Sequence, residues 1–319
     1  MLSDTYVSHS PEWGWLIVLY FFFGGIAGGS YFLAGLLDLF GDEADRPLSR
    51  IGYLVSFPAV LLCGPLLIVD LNRPERFWHM LIESETFRPM FKWWSPMSVG
   101  VWALLVFGAF AFVSFVGTLV EMGVIKWGLL RSINDAVRRG RISGLFALVG
   151  SLAGFFLASY TGVLLAVTNR PIWADTKLLG LLFLTSAAST SAALLLLLAW
   201  RRGRARSAAP ADERALAVAP QSVGWLERLD VWVTLMELAV LALVVVTLGR
   251  VAEDWLNEWG ALLLVGVVLV GILTPLVLHW RPRLLGRLSD WAVPLASVAA
   301  LVGGFVLRAV IVFSSETLL

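Results

Sequence analysis

Eight stretches of this chain are each long and apolar enough to cross a bilayer: roughly 14–40, 49–70, 96–121, 142–168, 173–200, 226–249, 258–280 and 290–313. A hydrocarbon core of about 30 Å needs roughly 20 apolar residues per helix. Charge or proline bounds the stretches, as at Asp42-Glu43, Arg73-Pro74, the Arg138-Arg139-Gly140-Arg141 run and Arg281-Pro282-Arg283. The alternation of a membrane barrel is missing, so helices are the remaining way to satisfy the backbone in lipid. Composition agrees: 59% of residues are hydrophobic, 15% are charged, and mean hydropathy is +0.83. A soluble globule carries about 25% charge. The same figures exclude a disordered chain, a secreted disulfide scaffold and a nucleic-acid binder. A net charge of +1 creates no field for an acidic partner. The first stretch follows no Lys or Arg and is long for a signal peptide, which predicts a retained helix.

Basic residues orient the bundle. Loops on the side of the N-terminus carry Arg73, Arg76, Arg88, Lys92, Arg170, Lys177 and Arg250, seven in all. The opposite loops carry sixteen of the 24 Lys and Arg, concentrated at Arg138, Arg139 and Arg141 and again at Arg201, Arg202, Arg204, Arg206 and Arg214. Excess positive charge marks the cytoplasm, so both termini are expected on the external side of the cytoplasmic membrane. The fold predicted is an all-α integral membrane protein whose eight transmembrane helices form two four-helix bundles. Helices 1–5 fall in residues 1–200, an Arg/Ala/Ser/Pro-rich cytoplasmic linker in 201–224, and helices 6–8 in 225–319. Residues 71–95 form the largest external loop. The spacing in Pro74–Leu81 predicts a short interfacial helix, and Trp78, Trp93 and Trp94 suit the headgroup layer.

Ionisable side chains inside lipid are costly, which makes each a functional candidate. Asp230, Thr234 and Glu237 share one face of helix 6, with Glu237 about 10 Å deeper than Asp230 at ~1.5 Å per residue. They form either a stepped proton line or a buried packing latch. Arg308 in helix 8 either snorkels to the interface or faces the bundle. Asp70 closes helix 2, while Asp38 reads as a solvated boundary residue. Tyr160 and Tyr20 lie roughly 12 and 8 Å below the external boundary, where aromatic side chains commonly form interfacial belts. Tyr20, Asp70, Tyr160 and Arg308 nevertheless all fall in the outer third, on four helices. Hydroxyl and charged groups at one depth among Phe and Trp suit a flat aromatic carbonyl ligand, and a quinone headgroup fits that description. Gly24, Gly25, Gly28 and Gly29 suit close helix packing, and Ser186, Ser189 and Thr190 suit interhelical hydrogen bonding.

Other cofactor signatures are missing. His9, His79 and His279 are not placed to face one another from within helices, so no haem is expected. Cys63 is the single cysteine, so neither a disulfide nor an iron–sulfur cluster is expected in this chain, and no metal site is read. There is no Walker or Rossmann fingerprint.

Several segments resemble the NrfD-type family, the integral membrane subunits of polysulfide and nitrite reductase complexes. They are Trp13-Gly14-Trp15 leading into Leu19-Tyr20 and Gly24-Gly25, Asp70-Leu71-Asn72-Arg73-Pro74 running on to Trp78, and Ser95-Pro96-Met97-Ser98. Ser159-Tyr160-Thr161-Gly162, the Glu237 position and Val306-Leu307-Arg308 complete the set. The resemblance implies a menaquinone or ubiquinone site near the external face, at Tyr160, Tyr20 and Asp70. It also implies docking to a ferredoxin-like subunit with four [4Fe-4S] clusters, itself bound to a molybdopterin-type catalytic subunit. Glu237 and Arg308 match positions that the family associates with proton movement. Arg73, Arg76, Trp78 and His79 then become the expected docking residues. The rivals are a secondary transporter with Glu237 and Arg308 as its coupling site, and a purely structural anchor.

Overall fold

The computed structural model describes residues 13–129, 131–132, 140–207, 218–281, 286 and 289–316. His9, Arg138, Arg139, Arg214, Arg283, Arg287 and the 208–217 part of the linker lie outside the described residues. Eight helices follow in order: α1 (Trp15–Phe40), α2 (Arg46–Asp70), α3 (Pro96–Glu121), α4 (Gly140–Ala166), α5 (Leu179–Ser207), α6 (Pro220–Leu248), α7 (Glu258–Trp280) and α8 (Ala292–Glu316). Each contains a run long and apolar enough to cross a membrane, so this is a multi-pass membrane protein. Among the described residues, strand pairing is limited to one isolated bridge, Ile82 with Pro89.

Local chemistry sets the helix starts. Proline occupies the first turn of α2, α3 and α6, where its missing N–H costs nothing. Ser95 caps α3 by accepting from the Ser98 amide at 3.4 Å. In α7 the Leu263–Leu273 segment is a π-helix, flanked by regular α-helical turns.

Two boundaries differ from the sequence expectation. The fifth span begins at Leu179 rather than near 173, because Pro171–Lys177 forms a compact turn. The Asp175 carboxylate accepts from the Ile172 amide at 2.9 Å, and Ile172 takes φ 68°. This turn drives the fully buried Trp173 indole inward, where its Nε1 donates to the Ile311 carbonyl at 2.6 Å. In the 201–224 stretch, α5 continues through Ser207 and α6 begins at Pro220. Arginine and alanine are good helix formers, so a polar sequence beyond the bilayer does not stop a helix.

Helix α1 is the axis of the molecule. It packs against α2, α4, α5 and α8, while α5 packs against α1, α4, α6 and α8. Helices α2, α3 and α4 are successive neighbours, and α7 lies against α8. The first helix is mostly buried and α3 mostly exposed, which separates the core axis from the lipid-facing wall. Backbone proximity explains the glycines of α1. A Cβ on Gly28 would fall on the Gly154 carbonyl and crowd the Ala158 methyl, so α1 and α4 meet main chain to main chain.

The two ends of the bundle are tied differently. At the Trp13 end, Trp13 stacks on Trp173 with centroids 5.2 Å apart. At the opposite, Asp45 end, Arg46 bridges Asp38 at 3.5 Å and Glu121 at 3.0 Å, Arg50 joins Glu121 at 3.1 Å, and the Tyr53 hydroxyl donates to Asp38 at 2.9 Å. Asp38 therefore anchors α1 to α2 instead of standing solvated. Ser222 donates to Asp45 and fastens the start of α6 to this same end.

A Gly28→Leu substitution is expected to destabilise the protein by about 3 kcal/mol or more, since the added side chain has only backbone to displace. Thermal unfolding in mild detergent measures the loss.

Candidate functional site

At the Trp13 end a cavity of about 210 Å³ opens among α1, α2, α3 and α4. Its walls are apolar, with Ile17, Leu67, Leu104 and Leu164 prominent, and the Pro74–Met80 turn contributes Phe77 and Met80. That turn is a 3₁₀-helix, tighter than the interfacial helix expected there. Three polar side chains line the cavity: Tyr20 from α1, Asp70 from the end of α2 and Tyr160 from α4. All three are sequence-predicted ligand contacts.

Their hydrogen-bonding states differ. The Tyr160 hydroxyl donates to the Pro96 carbonyl at 2.5 Å, so its one proton is committed; the Gly100 amide approaches the same oxygen, which keeps one lone pair to accept. Gly100 makes room for this ring, because a side chain there would occupy the phenol's position. The Ser95-Pro96 segment thus orients a tyrosine 64 residues further along the chain. Tyr20 is buried, and its hydroxyl has no hydrogen-bond partner among the described residues. It is a free donor. Asp70 is half-buried and likewise forms no ion pair among the described residues. Among the described residues, a donor and a carboxyl group without partners and an acceptor therefore face one apolar space.

Arg308 does not line this cavity. It is 1% exposed, which settles the choice between snorkelling and facing the bundle in favour of the bundle. Its Nε donates to the Phe21 carbonyl at 3.2 Å, and Nη1 donates to the Gly304 carbonyl at 2.6 Å and to Ser186 Oγ at 3.1 Å. The guanidinium carbon sits 5.7 Å from the Phe22 centroid and 5.5 Å from that of Phe183, within cation–π range. Gly25 leaves the space that Nη2 fills.

Ser186 connects Arg308 to the carboxylates of α6. Ser189 donates a short hydrogen bond to Glu237, and the Ser186 hydroxyl also reaches that carboxylate. The serines of α5 do make the interhelical bonds expected of them, but their partners are the two charged groups. Further toward the Asp45 end, Asp230 and Thr234 are buried on the same face of α6 as Glu237. His279 of α7 lies beside Asp230. No pattern in the sequence marks His279, since its partner is on another helix and its own helix supplies only a proline four residues earlier.

Of the docking candidates, Arg73 and Arg76 are exposed, while Trp78 and His79 are half-buried. The Trp78 and His79 rings lie 3.9 Å apart, and His79 Nδ1 is 3.1 Å from Ser84 Oγ. The four therefore share one turn at the mouth of the cavity.

Residues 5–319 match the family model described as polysulphide reductase, NrfD. The chain belongs to the NrfD family. Among curated relatives, it is 26% identical to a polysulfide reductase chain of Wolinella succinogenes over 96% of this protein and 94% of that one. It is 29% identical to protein NrfD of Escherichia coli over 61% of this chain and 63% of that protein. A shorter match, 38% identical over 26% of this chain and 19% of the relative, is to a selenate reductase subunit of Mesobacillus selenatarsenatis.

The bridged pair Arg308–Ser186–Glu237 should respond non-additively to substitution. Arg308→Met leaves a buried carboxylate without its countercharge and is expected to cost about 3–5 kcal/mol. Combining it with Glu237→Gln should recover part of that loss. A double-mutant cycle on thermal unfolding in detergent would read the coupling, and strict additivity would remove the bridge.

Proposed function

We propose that this chain is the membrane subunit of a respiratory oxidoreductase complex, and that it binds quinone or quinol in the cavity lined by Tyr20, Asp70 and Tyr160. The observation that carries this reading is that three polar groups from three separate sequence motifs meet in one apolar space. A flat ring with polar oxygens on opposite edges suits such walls, which supply shape through aliphatic side chains and orientation through few polar groups. When bound there, a quinol supplies two electrons for an external partner and two protons.

The residues divide the work according to what each has free. Tyr160, its proton held by Pro96, accepts a hydrogen bond from a ligand hydroxyl. Tyr20 donates to a ligand oxygen, and Asp70 takes or returns a proton where the cavity meets the Trp13 end. An apolar groove of about 220 Å³ between α3 and α4, lined by Trp93, Trp94 and Phe156 and also by Tyr160, is assigned to an isoprenoid tail. The mouth turn with Arg73, Arg76, Trp78 and His79 is assigned to docking a ferredoxin-like subunit with four [4Fe-4S] clusters. That subunit would in turn hold a molybdopterin-type catalytic subunit. The relatives named as parts of polysulfide and selenate reductases support a place in such a complex. By the excess of basic residues on the opposite loops, the Trp13 end, both termini and the partners face outward from the cytoplasmic membrane. The eight helices act as two four-helix halves joined through α1 and α5. The buried line from Glu237 to Asp230 is assigned to proton movement toward the Asp45 end.

The complex isolated in mild detergent through a tag on this chain should contain iron and acid-labile sulfide, with optical changes on adding quinol. A chain that purifies alone, without metal or quinol response, would favour a transporter using Glu237 and Arg308.

Tyr160→Phe should lower quinol-linked electron delivery roughly tenfold, the equivalent of about 1.4 kcal/mol for one ligand hydrogen bond. The amount of assembled complex should stay constant. Unchanged turnover would remove this tyrosine from the site.

A further inference from the structure

Three buried polar atoms toward the Asp45 end have no hydrogen-bond partner among the described residues: Asp230 Oδ1, Thr234 Oγ1 and His279 Nε2. Orphaned polar atoms of this kind are rare in a protein interior, and each calls for a physical explanation. Here the geometry of one ring supplies it. His279 Nδ1 lies 2.8 Å from the Pro275 carbonyl, which can only accept, so Nδ1 must carry a hydrogen. A neutral imidazole then turns a bare lone pair at Nε2 toward Asp230 Oδ2, 3.8 Å away. The two side chains are 9% and 2% exposed, so bulk water does not separate them. An ionised carboxylate and a neutral imidazole in this arrangement are two acceptors facing each other. One proton relieves the conflict, either on the carboxyl group or on Nε2. The 3.8 Å separation is too long for a direct hydrogen bond and suits a small closure.

We propose that Asp230 and His279 form a shared-proton site, which holds one proton between two helices and exchanges it with Glu237 by way of Thr234. This rests on, and extends, the proton line of the proposed function. Thr234 is four residues from Asp230 and three from Glu237, so successive steps along α6 are about 6 and 4.5 Å. Its unpartnered hydroxyl both donates and accepts, as a relay requires. A transfer moves one proton from the Asp230–His279 pair to the Glu237 carboxylate and leaves the pair as two acceptors, ready to reload from the Asp45 end. The titratable groups acting on Asp230 are Glu227 and Glu237 on its own helix and His279 on α7. Among the described residues, no Lys or Arg of α5, α7 or α8 forms an ion pair with it. A metal site is a poor alternative, because no third ligating side chain joins the two among the described residues.

Infrared difference spectroscopy on the intact complex tests this, with Asp230→Asn used to assign the carboxyl band of Asp230. The Asp230 carboxyl band should respond to pH in the unmodified protein. His279→Gln, which keeps the volume but cannot titrate, should move the carboxyl midpoint by about one pH unit or more. Proton uptake from the Asp45 side of reconstituted vesicles should fall in the same variant. His279→Asn provides the same comparison if the glutamine variant fails to assemble. A carboxyl band that titrates identically with and without His279 would overturn the shared-proton site. The spectra need no turnover, so a complex that ignores quinol would refute the quinone reading while leaving the shared-proton site to be judged by its own band.

Discussion

The Arg308 guanidinium is the contact on which much of this architecture turns. A permanent charge without access to water must find its hydrogen bonds inside the protein, and Arg308 takes them from the Phe21 carbonyl of α1, Ser186 of α5 and the Gly304 carbonyl of its own helix α8. Three helices distant in sequence are thereby held at one point. Their register follows from it: Gly25 must lie opposite the guanidinium, and Phe22 and Phe183 must flank it. The strong geometric demands of a buried charge serve here to specify one packing among several that apolar helices in lipid would otherwise accept equally well.

The same contrast between lipid and protein surroundings explains why the helices are legible in the sequence and some of their ends are not. Spans in lipid announce themselves by length and hydropathy, because the bilayer leaves the backbone no alternative. The start of α5 is hidden because Ile172 and Trp173 read as apolar span residues, yet they are turned inward by Pro171 and the Asp175 side chain. Hydropathy cannot tell a residue facing lipid from one facing protein. The arginine-rich end of α5 errs the other way, because leaving the bilayer does not end a helix whose residues favour it.

The polar sites are partly legible for a related reason. Tyr20, Asp70 and Tyr160 stand out because each is a polar residue at a depth where few are tolerated, and equal depth is a necessary condition for meeting in one cavity. Depth does not fix azimuth, however. Arg308 shares that depth and faces away from the cavity, toward Ser186. His279 is invisible as a functional group for the converse reason: near a helix end it looks like a boundary residue, and only the packing of α7 near α6 puts it 3.8 Å from Asp230.

The two polar regions are separate in space but not independent. Arg308 bonds the carbonyl of Phe21, the residue after Tyr20, and through Ser186 it reaches Glu237. In a low-dielectric interior, charges interact far more strongly than in water. Arg308 therefore divides its contacts between Ser186, on the Glu237 side, and the α1 backbone beside the cavity. The polar line and the cavity wall meet at one side chain, and α1, α5 and α8 stay locked around a charge that cannot leave.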